Sequence, residues 1–339
     1  MVWFIRPARA DDVDALLVLA EQTGGGFTNL PPDRDALARR IGWSCESFAR
    51  EGELPQDELY MLLMEEAETG RIGGSAMIFS RLGGEWPFYT YKIATVNQTS
   101  KELGRNITME VLHLTNDFNG AAEVGGLFLL PELRTEGLGR MLARSRYLFM
   151  ARHRARFPAR VVAELRGWHH PDGSSPFWDG LGRKFFEMPF QEADRFNSLH
   201  GNQFIADLMP RYPVYTALLS DEARAVIGKP HDSGVPALKL LEKEGFFYEG
   251  YVDIFDGGPT VFGYIDNIRT VQQCRTLAVA DAGLSDGGAT TALLAKGLLQ
   301  DFRVWQSAAT ETPQGLSLTA EEVRLHGLQA GETISHVAA

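Results

Sequence analysis

The stretch that decides the fold is Val124-Gly125-Gly126-Leu127-Phe128-Leu129-Leu130-Pro131, followed closely by Arg134-Thr135-Glu136-Gly137-Leu138-Gly139. Its first half is a compact apolar run ended by a proline, the pattern of a buried strand. Beyond Gly139, the residues Met141, Leu142, Leu148 and Phe149 recur at helical spacing, with Arg140 and Arg144 on another face. Val161-Val162-Ala163-Glu164-Leu165 is a second apolar run, which a right-handed crossover sets parallel to the first. The order is therefore strand, glycine loop, helix, strand. A helix N-terminus exposes unpaired N–H groups and a partial positive charge. Glycines just ahead of it let a phosphate approach the backbone. The spacing R-x-x-G-x-G lacks the Lys-Ser/Thr of a P-loop and differs from the G-x-G-x-x-G dinucleotide fingerprint. From Leu138 to Arg160 there are seven arginines and no Asp or Glu. That local reversal of charge suits a ligand carrying several phosphates.

Upstream, residues 2–6 read as a strand ended by Pro7, and Asp11 or Asp12 caps a helix with Val13, Leu16, Leu17 and Ala20 on one face. Gly24-Gly25-Gly26 breaks the pattern, and a second helix spans 33–48. Residues 60–65 and 72–80 form a hairpin across Thr69-Gly70, and 89–96 and 111–115 are further strands. Downstream, 167–236 is irregular and rich in aromatics, Pro and Gly, with helical pieces at 203–209 and 220–227. A short helix at 237–244 ends at Gly245, a strand follows over 246–255, and Gly257-Gly258-Pro259 stops it. Beyond about Thr276 the composition turns to Ala, Thr and Leu in short strand-like runs, a small separate β-rich piece.

Composition bounds what such a chain does. Its 339 residues carry 44 acidic against 33 basic side chains, a net charge of -11, so whole-surface attraction to nucleic acid or anionic lipid is not expected. Hydrophobic residues at 44% and charged residues at 23% are ordinary globular values. Cys45 and Cys274 make neither a disulfide framework nor a CxxC zinc site, and no metal is implied. No apolar run approaches the roughly 18 residues that span a bilayer. The expectation is a soluble, cytoplasmic protein.

R-x-x-G-x-G after a hydrophobic strand resembles the acyl-CoA loop of the GNAT superfamily of N-acyltransferases, whose backbone cradles the CoA pyrophosphate. Leu240-Leu241-Glu242-Lys243-Glu244-Gly245-Phe246 is similar to the helix and strand that close that core. The departure is the long insertion at 167–236. Thr23-Gly24-Gly25-Gly26, Ser100-Lys101-Glu102-Leu103, Ser175-Pro176-Phe177-Trp178 and residues 204–210 resemble, in order, the arginine N-succinyltransferase family. So do Val226-Ile227-Gly228 ahead of His231, and residues 251–259. The resemblance implies an α/β (α+β), GNAT-like domain over 1–275 and a small C-terminal β-barrel over 276–339. It implies succinyl transfer from succinyl-CoA to the α-amine of L-arginine or ornithine, the first step of arginine catabolism by the succinyltransferase route. Another donor or amine, or a non-catalytic regulatory subunit, stays open as an alternative, as does a homo- or hetero-oligomer.

The same resemblance assigns His231 as proton donor, a role suited to imidazole, which titrates near neutrality. It places succinyl-CoA against Leu127, through the backbone, and against Leu129, Arg134, Gly137, Leu138 and Gly139. A guanidinium substrate needs carboxylates. Candidates are Asp117, Glu123, Glu164, Asp253 and Asp256, of which Glu123 and Glu164 flank the two central strands. N–H groups around Gly25 are expected to serve a substrate carboxylate. His113, His153, His169, His170 and His200 read as surface or packing residues.

Overall fold

In the computed structural model residues 2–23, 29–134, 137–200, 203–280 and 289–339 are described. The chain opens on strand β1 (Trp3–Pro7), buried along its whole length, then helices α1 (Val13–Glu21) and α2 (Arg34–Ala49). Helix α1 buries Val13, Leu16, Leu19 and Ala20. Leu19 takes the place expected of Leu17, which is half-buried. Asp12 does not cap this helix. Its carboxylate accepts from the buried Arg6 guanidinium at 2.7 and 2.8 Å and from the Arg9 N–H at 2.6 Å, so it ties β1 to the turn. Helix α2, expected over 33–48, is capped by Asp33, whose Oδ1 accepts from the Ala36 N–H at 2.7 Å.

Strands β2 (Leu59–Glu66) and β3 (Ile72–Phe79) form the expected hairpin. Strands β4 (Thr90–Ser100) and β5 (Arg105–Thr115) form a second, longer than their apolar cores suggest. Then come β6 (Ala122–Leu129), α3 (Leu138–Arg152) and β7 (Arg160–Glu164), with β6 and β7 parallel. The insertion contributes α4 (Pro176–Gly180), α5 (Arg183–Phe186), α6 (Phe190–His200), α7 (Gln203–Leu208), β8 (Val214–Tyr215) and α8 (Asp221–Ala225). Its Phe177, Trp178, Leu181, Phe186 and Phe190 build a core of their own against Tyr91, Leu112, Val252 and Phe255.

After α9 (Val235–Glu244) and β9 (Phe247–Val252), the glycine pair at 257–258 does not end the sheet. It turns the chain into a strand the sequence pattern concealed, β10 (Pro259–Tyr264), which lies antiparallel to β7. Proline is tolerated at the first residue of a strand. Gly258 is required because an added Cβ would stand 2.1 Å from the Leu165 carbonyl oxygen. The chain ends with α10 (Arg269–Gln273), β11 (Arg275–Ala278), β12 (Thr290–Lys296), β13 (Arg303–Thr312), β14 (Gly315–Ser317), α11 (Ala320–Leu325) and β15 (Thr333–Ala338).

Among the described residues these strands join in one sheet, β11-β15-β12-β13-β1-β2-β3-β6-β7-β10-β9-β4-β5-β8, with β14 on β13. A bridge between Val279 and Leu316 links the end of β11 to β14. The C-terminal strands continue the main sheet through Phe4–Trp305 and Ile5–Val304. Leu293, Ala295, Phe302, Val304 and Val337 share the large core beneath α3. The opposite face is covered by α1 and α2.

The arginine run was expected to meet phosphates, and the structure corrects this. Arg144 is buried, donating to Thr270 Oγ1 at 2.8 Å and the Ala338 carbonyl at 2.7 Å, and pairs with Glu244 at 3.3 Å. Arg146 is buried too, its Nε bonded to the Ala143 carbonyl. Arg152 reaches Gly297 and Ser335, Arg154 pairs with Asp266, Arg156 with Glu58, and Arg160 donates to the Asp117 carbonyl. These side chains fasten α3 and the segment after it to four other parts of the chain. Arg140, beside the glycine loop, is exposed.

Candidate active site

Strands β6 and β7 run together only at Ala122–Val161 and Glu123–Val162. Past Glu123, β6 stays paired with β3 alone, through an irregularity opposite Ser75 and Met77. Gly126 has φ 56, and an added Cβ would stand 2.7 Å from Met77 Cγ, so only glycine fits that kink. The two strands therefore part, and the edge of β6 facing the gap is bare. Backbone groups alternate between the two edges of a strand. The Leu130 N–H bonds to Gly73 on β3, so Leu129, and with it Leu127, direct N–H and C=O toward the gap. Arg134 Nε donates to the Leu129 carbonyl at 3.1 Å, on that same edge. Leu127 itself is half-buried against the large core.

The glycine loop stands at this edge. Thr135 and Glu136 lie outside the described residues. Gly137 has φ 82 and precedes α3 without any side-chain cap, and the helix's first turn holds no acidic residue. A Cβ on Gly137 or Gly139 would meet nothing closer than 3.9 Å and 3.7 Å respectively. The first N–H groups of a fifteen-residue helix are thus open to an anion.

The other side of the gap is acidic. Alternation along the strands puts Glu123 and Glu164 on the sheet face opposite α3, since Ala122, Val124, Val161 and Ala163 point into the core beneath that helix. Burial pushes the Glu123 carboxyl up to about 7, against the Asn29 hydrogen bond and the charge of Arg40. Glu164 is raised well above its ordinary value by burial and by the neighbouring Asp253, Glu123 and Asp256. Thr260 Oγ1 donates to it at 3.3 Å.

Asp253 and Asp256 are anchors of the β9–β10 turn. Asp253 Oδ1 accepts from the N–H groups of Phe255 and Asp256, and Asp256 accepts from those of Gly167 and Gly258. Asp117 lies apart, accepting from the Tyr251 hydroxyl at 2.9 Å. Asp194, on α6, was not singled out from the sequence. Burial and Asp253 raise its carboxyl to about 6. No motif marks it, because the fold alone carries it to the strand ends. Gly25 lies outside the described residues.

His231 reaches the same place from far along the chain. Its N–H donates to the Arg166 carbonyl at 2.8 Å, Pro230 bridges Gly167, and the Trp168 N–H donates to Lys229. The loop is thus laid along the segment that leaves β7. His231 Nδ1 accepts from the Ser233 N–H at 3.2 Å and lies 2.7 Å from Ser233 Oγ, so the neutral ring carries its proton on Nε2. Burial and the Arg166 charge lower its pKa, partly offset by Asp232.

Two other histidines prove to be packing residues. His169 is buried 6.3 Å from His231 between ring centroids, tilted against Phe190 at 4.7 Å. His153 stacks on Phe149, and its Nε2 accepts from the Leu299 N–H at 3.1 Å. His170 pairs with Glu222 at 2.9 Å, and His113 is exposed. Among the described residues no group of three or more His, Cys, Asp or Glu is placed to hold a metal ion, and no helix is long and apolar enough to cross a membrane.

Comparison with known proteins agrees with this fold. The family model of the arginine N-succinyltransferase beta subunit matches residues 3–270, and that of its C-terminal domain matches 274–338. The chain is 41% identical over 331 residues to the arginine N-succinyltransferase of Escherichia coli strain 55989, spanning 97% of this chain and 96% of that protein. Identity to the enzyme of that name from Salmonella paratyphi B is the same over the same span. The solved structure of arginine/ornithine succinyltransferase subunit AI from Pseudomonas aeruginosa superposes with a TM-score of 0.89 at 31% identity, covering 99% of this chain and 98% of that one. The chain belongs to the arginine N-succinyltransferase beta subunit family.

Proposed function

We propose that this chain is a cytoplasmic N-acyltransferase that moves the succinyl group of succinyl-CoA to the α-amine of L-arginine, opening the breakdown of arginine. The observation that carries this reading is the parting of β6 from β7 beside an uncapped α3 N-terminus, with acidic residues on one flank. Family membership supplies the substrate class.

The CoA phosphates lie on the N–H groups of Leu138 and Gly139 behind Gly137, with Arg134 alongside. The pantetheine arm runs along the bare edge of β6, past Leu129. The thioester oxygen sits at the Leu127 N–H, where charge develops as the amine attacks. One well-placed donor of this kind is worth about 3–4 kcal/mol of barrier. Glu164 and Glu123 hold the guanidinium.

The chemistry is direct. The bound ammonium first gives one proton to solvent. The amine lone pair then adds to the thioester carbon, the C–S bond breaks, and the nitrogen loses its second proton to solvent, from which His231 takes up the proton that makes it imidazolium. The departing thiolate takes a proton from His231 Nε2. As imidazolium, His231 donates from Nε2 while Nδ1–H is held by Ser233 Oγ; the ring left behind is neutral with its proton on Nδ1, and exchange with solvent returns it to the resting Nε2–H form. A lowered pKa makes that imidazolium the stronger acid.

The test is thiol release by the purified chain with succinyl-CoA, acetyl-CoA or butyryl-CoA against arginine, ornithine and lysine, with the product identified by mass spectrometry. N-succinylarginine as the dominant product is expected. Undiminished CoA binding with no succinylated amine from any acceptor would sink the reading.

A further inference from the structure

The reaction brings an α-carboxylate into a site whose side chains are mostly acidic; of the cations there, Arg40 faces Glu123 and Arg166 stands beside His231. We infer that Arg166 is a specificity-determining residue that receives the α-carboxylate of the acceptor amino acid. This rests on the acceptor reading above.

Arg166 follows β7 directly, two residues beyond Glu164. Its carbonyl oxygen accepts the His231 N–H at 2.8 Å, which fixes its backbone against the proposed proton donor. Its Nε is buried and has no hydrogen-bond partner. Among the described ion pairs it takes no part, although Asp194 and His169 both feel its charge. The carboxylates of the β9–β10 turn, which bonds the Gly167 N–H next to Arg166, are otherwise engaged, since Asp256 accepts two backbone N–H groups and Asp253 a further two. A buried guanidinium N–H left unpaired is costly, and native structures keep such groups for a reason. A guanidinium fork matches a carboxylate through two parallel hydrogen bonds.

The stereochemistry of an α-amino acid completes the argument. Its amine and carboxylate share one carbon, so a carboxylate held beside His231 puts the amine beside His231 as well. The guanidinium, at the far end of the side chain, is left for Glu164 and Glu123. Arg166 thus reads the feature that separates an amino acid from a simple guanidino-amine.

The experiment uses the full-length chain and two acceptors, arginine and agmatine, which is arginine without the α-carboxylate. The variants are Arg166→Met and Arg166→Lys, with melting temperature recorded for each. Wild type should prefer arginine by roughly 10²-fold in kcat/KM, the worth of a charge-assisted pair. Arg166→Met should raise the KM for arginine by that factor and leave the KM for agmatine within about twofold, while any change in kcat from losing the charge beside His231 is common to both acceptors. Arg166→Lys should recover part of it. Calorimetric binding of the two acceptors without acyl-CoA gives the same ratio independently of turnover, so a wrong acyl donor would not disguise the result. An equal rise in KM on both acceptors, an unchanged arginine-to-agmatine binding ratio, or an effect on the KM of the acyl-CoA alone would each overturn the assignment.

Discussion

The two flanks of the gap between β6 and β7 are built in opposite ways. The donor flank is contiguous. Strand, kink, glycine loop and helix start follow one another from Ala122 to Arg140, and the groups that face the gap are backbone. The acceptor flank is assembled. Glu123, Glu164, Arg166, Asp194 and His231 come from β6, β7, the segment after it, α6 and the loop before α9, and each offers a side chain. In the proposed reaction, backbone groups recognise what any strand and helix end can offer, a thioester oxygen and phosphates. In that same proposal, side chains gathered from several segments discriminate between amines. Mutations on the two flanks should therefore separate donor from acceptor parameters.

The largest effect is expected at His231. His231→Ala should lower kcat by roughly 10²–10⁴-fold while the KM for succinyl-CoA moves little, because the phosphates are held on the other flank. His231→Asn keeps a hydrogen bond but no proton near neutral pH and should stay impaired. Normal kcat with a lowered melting temperature in either variant would make His231 structural and leave the acceptor flank without its acid.

On the donor flank, Gly137→Glu puts a carboxylate where the phosphates are to lie and forces a non-glycine residue to φ 82. Succinyl-CoA affinity should fall by about 10²-fold, the size expected when a charge-assisted contact becomes repulsion. Gly137→Ala carries the same backbone strain, about 1–2 kcal/mol, without the charge. Its affinity loss should be much smaller at a similar loss of melting temperature. If the two variants bind CoA alike, strain rather than anion recognition governs this loop.

Glu164→Gln should raise the KM for arginine by roughly 10-fold, with succinyl-CoA unaffected. The pH dependence sharpens the test. Burial holds Glu123 up to about 7, so it keeps its proton into the neutral range in the empty site, and burial with the neighbouring carboxylates raises Glu164 in the same direction. A guanidinium pairs only with the ionised form. Arginine should bind more tightly as pH rises from 6 to 8, with protons released on binding and detected as a buffer-dependent heat. Agmatine should show the same slope, since its guanidinium is identical. A pH-independent arginine affinity would move the guanidinium elsewhere.

How much of this was legible in the sequence follows the same division. The donor flank was readable because strand period, glycine spacing and helix period lie in one window. The seven arginines misled because charge counts in sequence do not see burial. Arg144 and Arg146 lie under the helix, and Arg152 is turned toward the C-terminal strands. Strand β10 was missed because Gly-Gly-Pro is stop chemistry in isolation, and only the close approach to Leu165 makes it a strand entry. The composition change near Thr276 marks a change of character along the chain, while β13 continues the main sheet beside β1. Asp194 and Arg166 carry no local signature. The meaning of Asp194 comes from where the insertion lays it, and that of Arg166 from the segment that leaves β7 against the His231 loop.

The smallest effect belongs to the seam between α3 and the C-terminal strands, remote from both flanks. His153 sits there as a neutral ring. Its Nδ1 bonds the Phe149 carbonyl at 3.0 Å and its Nε2 accepts the Leu299 N–H at 3.1 Å. A ring that must accept at Nε2 loses that bond when it is protonated, and burial, the first cause, holds its pKa at about 4. The folded value lies below the unfolded value of about 6.5, so the unfolded chain binds the extra proton between the two. Stability from this group is complete above pH 6.5 and is lost progressively as pH falls toward 4. At pH 5 the loss should be about 1–2 kcal/mol. His153→Gln should be less stable at pH 7.5, where the ring's stacking on Phe149 is missing, yet should show a shallower fall in melting temperature between pH 7 and 5. Acceptor and donor KM values at pH 7.5 should be unchanged in the folded variant. If the melting temperature falls with pH as steeply in the variant as in wild type, the acid sensitivity of this fold lies in its other buried histidines and carboxylates rather than in this seam.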